Sequence, residues 1–157
     1  MRTRKTSYIA VIGGGEADPA ILALARQVGQ EIARRDGVLV CGGLGGVMAA
    51  AAQGVQETGG TSIGILPDAD RSRANPYLTY ALATNMGHAR NMIIVHSADA
   101  LIAVDGSYGT ISEAAIALKL GKPVVALGVD WDLPGLRRAA GAKEAVTLAL
   151  TLIKPSR

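Results

Sequence analysis

The stretch 98–122, ADALIAVDGSYGTISEAAIALKLGK, decides how this chain folds. It opens on an apolar run, ALIAV at 100–104, of the length of a buried strand. The run breaks at Asp105-Gly106-Ser107-Tyr108-Gly109-Thr110 and resumes as an apolar-periodic helix over 111–120, closed by Gly121. A strand, a glycine-rich turn and a helix in that order aim free backbone N–H groups and the positive end of a helix dipole at an anion. Gly106 and Gly109 let the backbone approach a phosphate closely, and Ser107 and Thr110 add hydroxyl donors. Glu113 falls near the same mouth. As a first-turn carboxylate it is favoured by the dipole; beside a bound phosphosugar it becomes a chemical group.

The composition frames this core. The chain has 157 residues, enough for one domain with a sizeable interior. Hydrophobic residues make up 49% and charged residues 18%, which excludes a disordered chain and suggests a sheet buried on both faces. Aromatics are 3%, too few for a protein that reads single strands by base stacking. Much of the net charge of +3 sits in Met1-Arg2-Thr3-Arg4-Lys5, read as a flexible basic tail over 1–7 ahead of a domain over 8–153. Cys41 is the one cysteine; an intrachain disulfide and a paired-cysteine metal site are excluded, and a small buried thiol is expected. No metal site is expected. No run approaches a membrane span and no signal peptide precedes the first strand, so a cytoplasmic location with no membrane partner is the expectation.

Two more turns resemble the central one. YIAVI at 8–12 reads as a strand ending in Gly13-Gly14-Gly15. Asp18 as N-cap and Pro19 as first helical residue then start a helix whose apolar face runs through Ile21, Leu24, Ala25, Val28 and Ile32. A strand at 38–40 leads into Cys41-Gly42-Gly43-Leu44-Gly45-Gly46 and a helix over 47–57 whose Ala49 to Ala52 permit close packing on the sheet. Gly42, Gly43 and Gly45 form a second candidate phosphate cradle; the alternative is a tight turn needed only for packing. TSIGIL at 61–66 is a third strand, followed by the longest loop, 67–76, whose Arg71 and Arg73 read as solvated charges before ligand contacts. A fourth strand is predicted over 77–84 and a helix over 89–97. There Arg90 stands, electrostatically misplaced, at a positive helix end, where an anion or Glu113 would relieve it. A strand at 123–127 and a helix at 142–153 complete the chain.

Alternating strands and helices over one core give an α/β fold: a Rossmann-like, doubly wound parallel sheet of about six or seven strands. Right-handed crossovers then place every strand-to-helix turn on one sheet edge, so the three glycine turns are expected to converge on one crevice.

The run GHARNMIIVHSADALIAVDGSYGTISEAAIALKLGKPVV, with VIGGG, CGGLGGVM and GILP before it, resembles the Lonely Guy (LOG) family and its relatives, long mislabelled as lysine decarboxylases. It looks closest to the small bacterial branch related to molybdenum cofactor carrier proteins. The Lonely Guy hallmark is PGGxGTxxE with an Arg-Lys pair upstream, on enzymes that release the base from nucleoside 5′-monophosphates. Gly106, Gly109, Thr110 and Glu113 match it, and Arg90 matches the upstream arginine. Asp105 stands where proline is usual, Ser107 replaces the second glycine and Asn91 replaces the lysine.

The resemblance and the turns imply a binding or carrier protein for a phosphorylated, nucleotide-like ligand, molybdenum cofactor being the pointed candidate. The second reading is a phosphoribohydrolase in which Glu113 stabilises charge on the ribose and Arg90 holds phosphate or polarises the leaving base. A third is an oligomeric scaffold. On any of them the expected partners are a small phosphorylated ligand and a second copy, as homodimer or homotetramer, and no nucleic acid. Catalysis would require no cofactor; molybdenum cofactor or a nucleotide would be bound as ligand. Lysine decarboxylation is rejected on chemistry, because it needs an electron sink such as a pyridoxal Schiff base and no lysine is placed to form one.

Overall fold

Apolar runs bounded by glycine become the strands of one sheet. A computed structural model describes residues 5–155. In chain order the elements are β1 (Tyr8–Gly13), α1 (Pro19–Arg34), β2 (Val38–Cys41), α2 (Val47–Glu57), β3 (Thr61–Leu66), β4 (Tyr80–Ala83), a 3-10 turn (Gly87–Ala89), α3 (Arg90–Ser97), β5 (Ala100–Val104), α4 (Tyr108–Lys119), β6 (Val124–Leu127), β7 (Arg137–Arg138) and α5 (Ala142–Leu152). The strands form a seven-stranded sheet in the order β4-β3-β2-β1-β5-β6-β7. Each neighbouring pair is parallel. This is the expected doubly wound architecture, with α1, α2 and α5 packed on one face and α3 and α4 on the other. Strand order reverses between β1 and β5, and in such sheets the crevice opens at that switch point, beyond the carboxyl ends of the strands.

β5 is the axis. Every residue of it is buried, and its register against β1 pairs Ile12 with Ala103 and Gly13 with Val104. Three elements depart from the sequence reading. β4 is confined to Tyr80–Ala83, because Thr79 turns its hydroxyl and amide to Ser62. α4 starts at Tyr108, three residues before the expected 111, since Gly109 and Thr110 are its first turn rather than part of the loop. β7 is a two-residue edge strand of exposed arginines that no apolar pattern announces. The four residues before Lys5, which belong to the expected basic tail, lie outside the described residues.

α1 and α2 approach unusually closely. A Cβ on Gly29 would run into the Ala51 carbonyl oxygen and lie 3.1 Å from the Val55 nitrogen; one on Gly54 would run into the Arg26 carbonyl oxygen and lie 3.0 Å from the Gln30 nitrogen. Each helix thus offers a glycine to the other's backbone. The small residues of α2 serve this helix–helix contact as well as the sheet. Across its rim Arg26 grips Glu57 in a two-point ion pair, Nε–Oε2 2.8 Å and Nη2–Oε1 2.6 Å.

Among the described residues no helix is long and apolar enough to cross a membrane. Cys41 is buried, and desolvation pushes its thiol up to about 11, which leaves it protonated and inert. Lys122 donates to the carbonyls of Val95, His96 and Ala98 at 2.7, 2.8 and 2.6 Å and so caps the C-terminal end of α3, where a cation is favoured. That explains this lysine structurally.

Candidate functional site

The first two glycine turns lock onto each other. A side chain at Gly13 would meet the Val104 carbonyl oxygen at 2.5 Å and Val47 Cγ1 at 2.7 Å, so only glycine fits at the end of β1. The Gly14 carbonyl accepts the Val47 N–H at 3.0 Å, which spends one of the free donors at the start of α2. Gly46, at φ +63°, lies flat against Gly14 and Gly15. Gly43, at φ +77°, has room for no side chain, since a Cβ there would strike Leu66 and Gly64, and it does not line the crevice; Gly45 is exposed, and a Cβ on it would lie 3.4 Å from the Gly15 carbonyl oxygen. Much of the Gly42–Gly46 turn is therefore spent on close packing, the alternative that the sequence left open.

The third turn is built differently. Asp105 and Gly106 take left-handed conformations, φ +54° and +93°, while Ser107 stays at φ −128°. The Ser107 side chain thus meets no left-handed strain. The Asp105 N–H donates to the Leu127 carbonyl, the Gly106 carbonyl accepts Trp131 Nε1–H at 3.1 Å, and a Cβ on Gly106 would strike the Thr110 side chain. α4 follows at once, and the N–H groups of Tyr108, Gly109 and Thr110, in its first turn, have no intrahelical acceptor. Tyr108 projects its ring into solvent, 89% exposed.

These elements enclose a cavity of about 220 Å³. Gly13, Gly14, Gly15 and Gly42 line one side of it, and Ser107, Gly109 and Thr110 the other. Arg90, Asn91 and Glu113 project into it, with Met48, Ile94 and His88 between them. Of the expected site residues, Gly43, Gly45, Gly106 and Tyr108 do not line this space; the other nine do.

Arg90 is the cation of the site. Its guanidinium lies directly over Gly42, where a Cβ would be 2.5 Å from Nη1 and 2.8 Å from Nη2. Nη1–H donates to Asn91 Oδ1 at 2.7 Å, and Nε is buried with no hydrogen-bond partner. Burial lowers the Arg90 pKa from its ordinary value, against the opposing pull of Glu113. Glu113 is 6% exposed and sits in the second turn of α4, because that helix starts early; a first-turn dipole effect does not describe it. Desolvation raises its pKa to about 7, and the Arg90 charge offsets only part of the rise. No guanidinium nitrogen lies within 4.0 Å of the carboxylate, so the two share the cavity without a direct ion pair. A cation with an unsatisfied buried N–H, a carboxyl poised near neutrality and free helix-end donors are groups chemically able to hold an anion and to exchange a proton beside it.

The Glu113 shift sets a pH dependence. Between the ordinary 4.5 and about 7 the unfolded chain sheds this proton while the folded protein keeps it, so stability falls as pH rises through that window. Glu113→Gln removes the term. It is expected to be more stable than the parent at pH 8, by up to about 3 kcal/mol, and nearly equal to it at pH 5. Urea midpoints at the two pH values measure this, and a variant less stable than the parent at pH 8 contradicts it.

The sequence reading passed over two residues that shape the site. Asn75 fastens the 67–76 loop: its N–H donates to the Gly43 carbonyl at 2.9 Å, its Nδ2 to the Leu44 carbonyl at 3.0 Å, and its Oδ1 accepts from Tyr77 N–H. Its place just before Pro76 was the available signal. Trp131 is the other: its part-buried indole N–H needs an acceptor, and the Gly106 carbonyl supplies it. Arg73, as expected, is an exposed charge, paired with Asp68 at 3.0 Å.

Parallel sheet, reversed strand order and a glycine-lined crevice at the reversal define a Rossmann-like α/β protein with its site at the switch point. Within that class the chain belongs to the SLOG cluster4 family, whose model matches residues 6–152. It is 36% identical to the molybdenum cofactor binding protein from the phototrophic bacterium Rippkaea orientalis, with a TM-score of 0.90 over 97% of this chain and 100% of that one. It is 34% identical to the molybdenum cofactor carrier protein from Chlamydomonas reinhardtii, with a TM-score of 0.86 over 94% and 98%. It is also 33% identical to a probable cytokinin riboside 5′-monophosphate phosphoribohydrolase, LOG4, of Oryza sativa subsp. japonica, over 71% of this chain but only 53% of the rice protein. The resemblance drawn from the motifs therefore holds, and both of its branches are represented.

Proposed function

We propose that this protein binds and carries a phosphorylated, nucleotide-like ligand, with molybdenum cofactor the foremost candidate. The observation that carries the reading is the convergence of Gly13–Gly15, Gly42 and the first turn of α4 on one cavity that also holds Arg90. The phosphate is assigned to the free N–H groups of that turn and to Ser107 and Thr110, with Arg90 compensating its charge. Gly43, Gly45, Gly106 and Tyr108 belong to the site as the frame and rim of the same turns. Likeness over nearly the whole chain to two proteins described as binding or carrying molybdenum cofactor supports a carrier over an enzyme. A carrier needs a cradle and orientation, and no general acid.

A specific observation keeps a second reading in view. Glu113, buried and with a pKa near 7, is suited to stabilise positive charge developing on a ribose and to orient water against it, while Arg90 holds the phosphate. One experiment separates the two. Nucleoside 5′-monophosphates are assayed for base release with parent and Glu113→Gln, and binding of a nucleotide and of a pterin phosphate is titrated in parallel. Binding without release is expected. Base release lost in Glu113→Gln would establish the hydrolase, and a protein that binds neither ligand at millimolar concentration would overturn both readings.

The same reading makes the protein a homodimer or homotetramer acting in the cytoplasm, without nucleic acid. Exposed Leu82, Met86 and Met92, at and beyond the edge strand β4, supply apolar surface for such an association.

A further inference from the structure

Trp131 is the only tryptophan of the chain, and it does not line the cavity. It packs, part-buried, with Val129, Leu133 and Leu136 against the apolar cluster on the α3 and α4 face of the sheet. Its one polar atom, Nε1, donates to the Gly106 carbonyl at 3.1 Å. The loop that carries it, between β6 and β7, is held from the sheet edge. Arg138 of β7 donates to the Trp131 carbonyl at 2.6 Å and to the Val129 carbonyl at 3.2 Å, and β7 pairs Arg138 with Ala126 of β6.

The indole acts at the least constrained peptide of the third glycine turn. On one side of that peptide the Asp105 N–H is tied to the Leu127 carbonyl, and on the other the Ser107 carbonyl accepts the Ile111 N–H. The Gly106–Ser107 peptide between them has no backbone partner among the described residues. Gly106 runs at φ +93°, and a glycine accepts more than one orientation of the peptide that follows it. The peptide is trans, so its C=O and N–H point to opposite sides. A carbonyl turned out to Trp131 turns the Ser107 N–H the other way, and Ser107 lines the cavity. The same peptide reversed would show a phosphate an oxygen instead of a donor.

We propose that Trp131 is a positioning residue for the anion: its indole N–H holds the Gly106–Ser107 peptide so that the Ser107 N–H faces the cavity as a phosphate donor, and Arg138 holds Trp131 in place. This rests on the phosphate reading above. It extends the binding apparatus to a loop outside the cavity and gives the two-residue strand β7 a role in it.

A single tryptophan permits an isosteric test. Benzothienylalanine in place of Trp131 keeps the bicyclic ring and exchanges the N–H for sulfur, which donates nothing; Trp131→Phe removes the N–H with ordinary chemistry. GMP is titrated calorimetrically into the full-length parent and both variants, thermal midpoints are recorded, and the Ser107 amide is followed by NMR as inorganic phosphate is added. Both variants are expected to bind GMP about 10-fold more weakly, the scale of one hydrogen bond to a charged group. The isostere is expected to keep its midpoint within about 2 °C of the parent. In the parent the Ser107 amide proton moves downfield with phosphate, and in the isostere that response is lost. An isostere that binds GMP as the parent does, or whose Ser107 amide responds as the parent's does, overturns the positioning role and leaves the phosphate reading standing. Affinity that falls only together with the midpoint in both variants also overturns it, since a merely structural tryptophan behaves so. A parent that binds no GMP and whose Ser107 and Gly109 amides ignore phosphate overturns the phosphate reading, and the role with it.

Discussion

Gly54→Ala is expected to lower the thermal midpoint by roughly 4–8 °C, although alanine is the better helix former. Intrinsic propensity favours the substitution by about 1 kcal/mol in an exposed helix. Packing opposes it more strongly. The added methyl would meet the Arg26 carbonyl oxygen and, at 3.0 Å, the Gln30 nitrogen, both of them backbone atoms of α1. A helix backbone cannot give locally, so α1 and α2 must separate and loosen the contacts of Ala25, Val28, Ala51 and Val55. Overpacking of this kind costs about 1–3 kcal/mol or more. Gly29→Ala meets the mirror contact at Ala51 and is expected to behave alike. Differential scanning calorimetry decides the matter, and an unchanged or raised midpoint would show that the helices tolerate the extra distance.

Gly42→Ala is the same chemical change with the opposite outcome. Its methyl would meet Arg90 Nη1 at 2.5 Å and Met48 Sδ at 2.6 Å, both far ends of flexible side chains. These can swing aside, so the midpoint is expected to stay within about 2 °C of the parent. What is lost is the resting place of the guanidinium. Affinity for a phosphorylated ligand is expected to fall about 10-fold in Gly42→Ala and about 100-fold in Arg90→Met, the size of one charge-assisted hydrogen-bonding partner. Isothermal titration with GMP provides the comparison. If Arg90→Met binds as well as the parent, the cation is not a ligand group.

The fold was legible where strands are fully buried. β1, β2, β3, β5 and β6 are short apolar runs stopped by glycine or proline, and their helices carry apolar faces at the right period. It was illegible where local chemistry and structure disagree. A first turn reading Tyr-Gly-Thr looks like a loop, because Gly and Thr are poor helix residues, yet packing holds it as the start of α4. Arg137 and Arg138 pair as a strand only because Val125 and Ala126 offer an edge.

The candidate site divides the same way. Convergence of the glycine turns followed from the handedness of parallel connections alone. The burial of Glu113 did not, since it depends on where α4 begins; a helix starting at 111 would have placed the same residue in the first turn. Gly29 and Gly54 are unfavourable in a helix by propensity, and only the partner backbone that each meets accounts for them. Gly42 read as a phosphate cradle, and its nearest neighbour is the Arg90 guanidinium. In each case the decisive fact is a contact between segments distant in sequence.

The left-handed Asp105–Gly106 turn limits what position 105 can accept. Proline at 105 would have to adopt φ near −65° where the chain runs at +54°, and it would forfeit the N–H that the Leu127 carbonyl receives. The turn must be rebuilt before proline is tolerated there. Exchanging Asp105 for proline alone is therefore a step into a destabilised fold. Such an exchange needs compensating changes at several positions at once, or a stability reserve large enough to survive it.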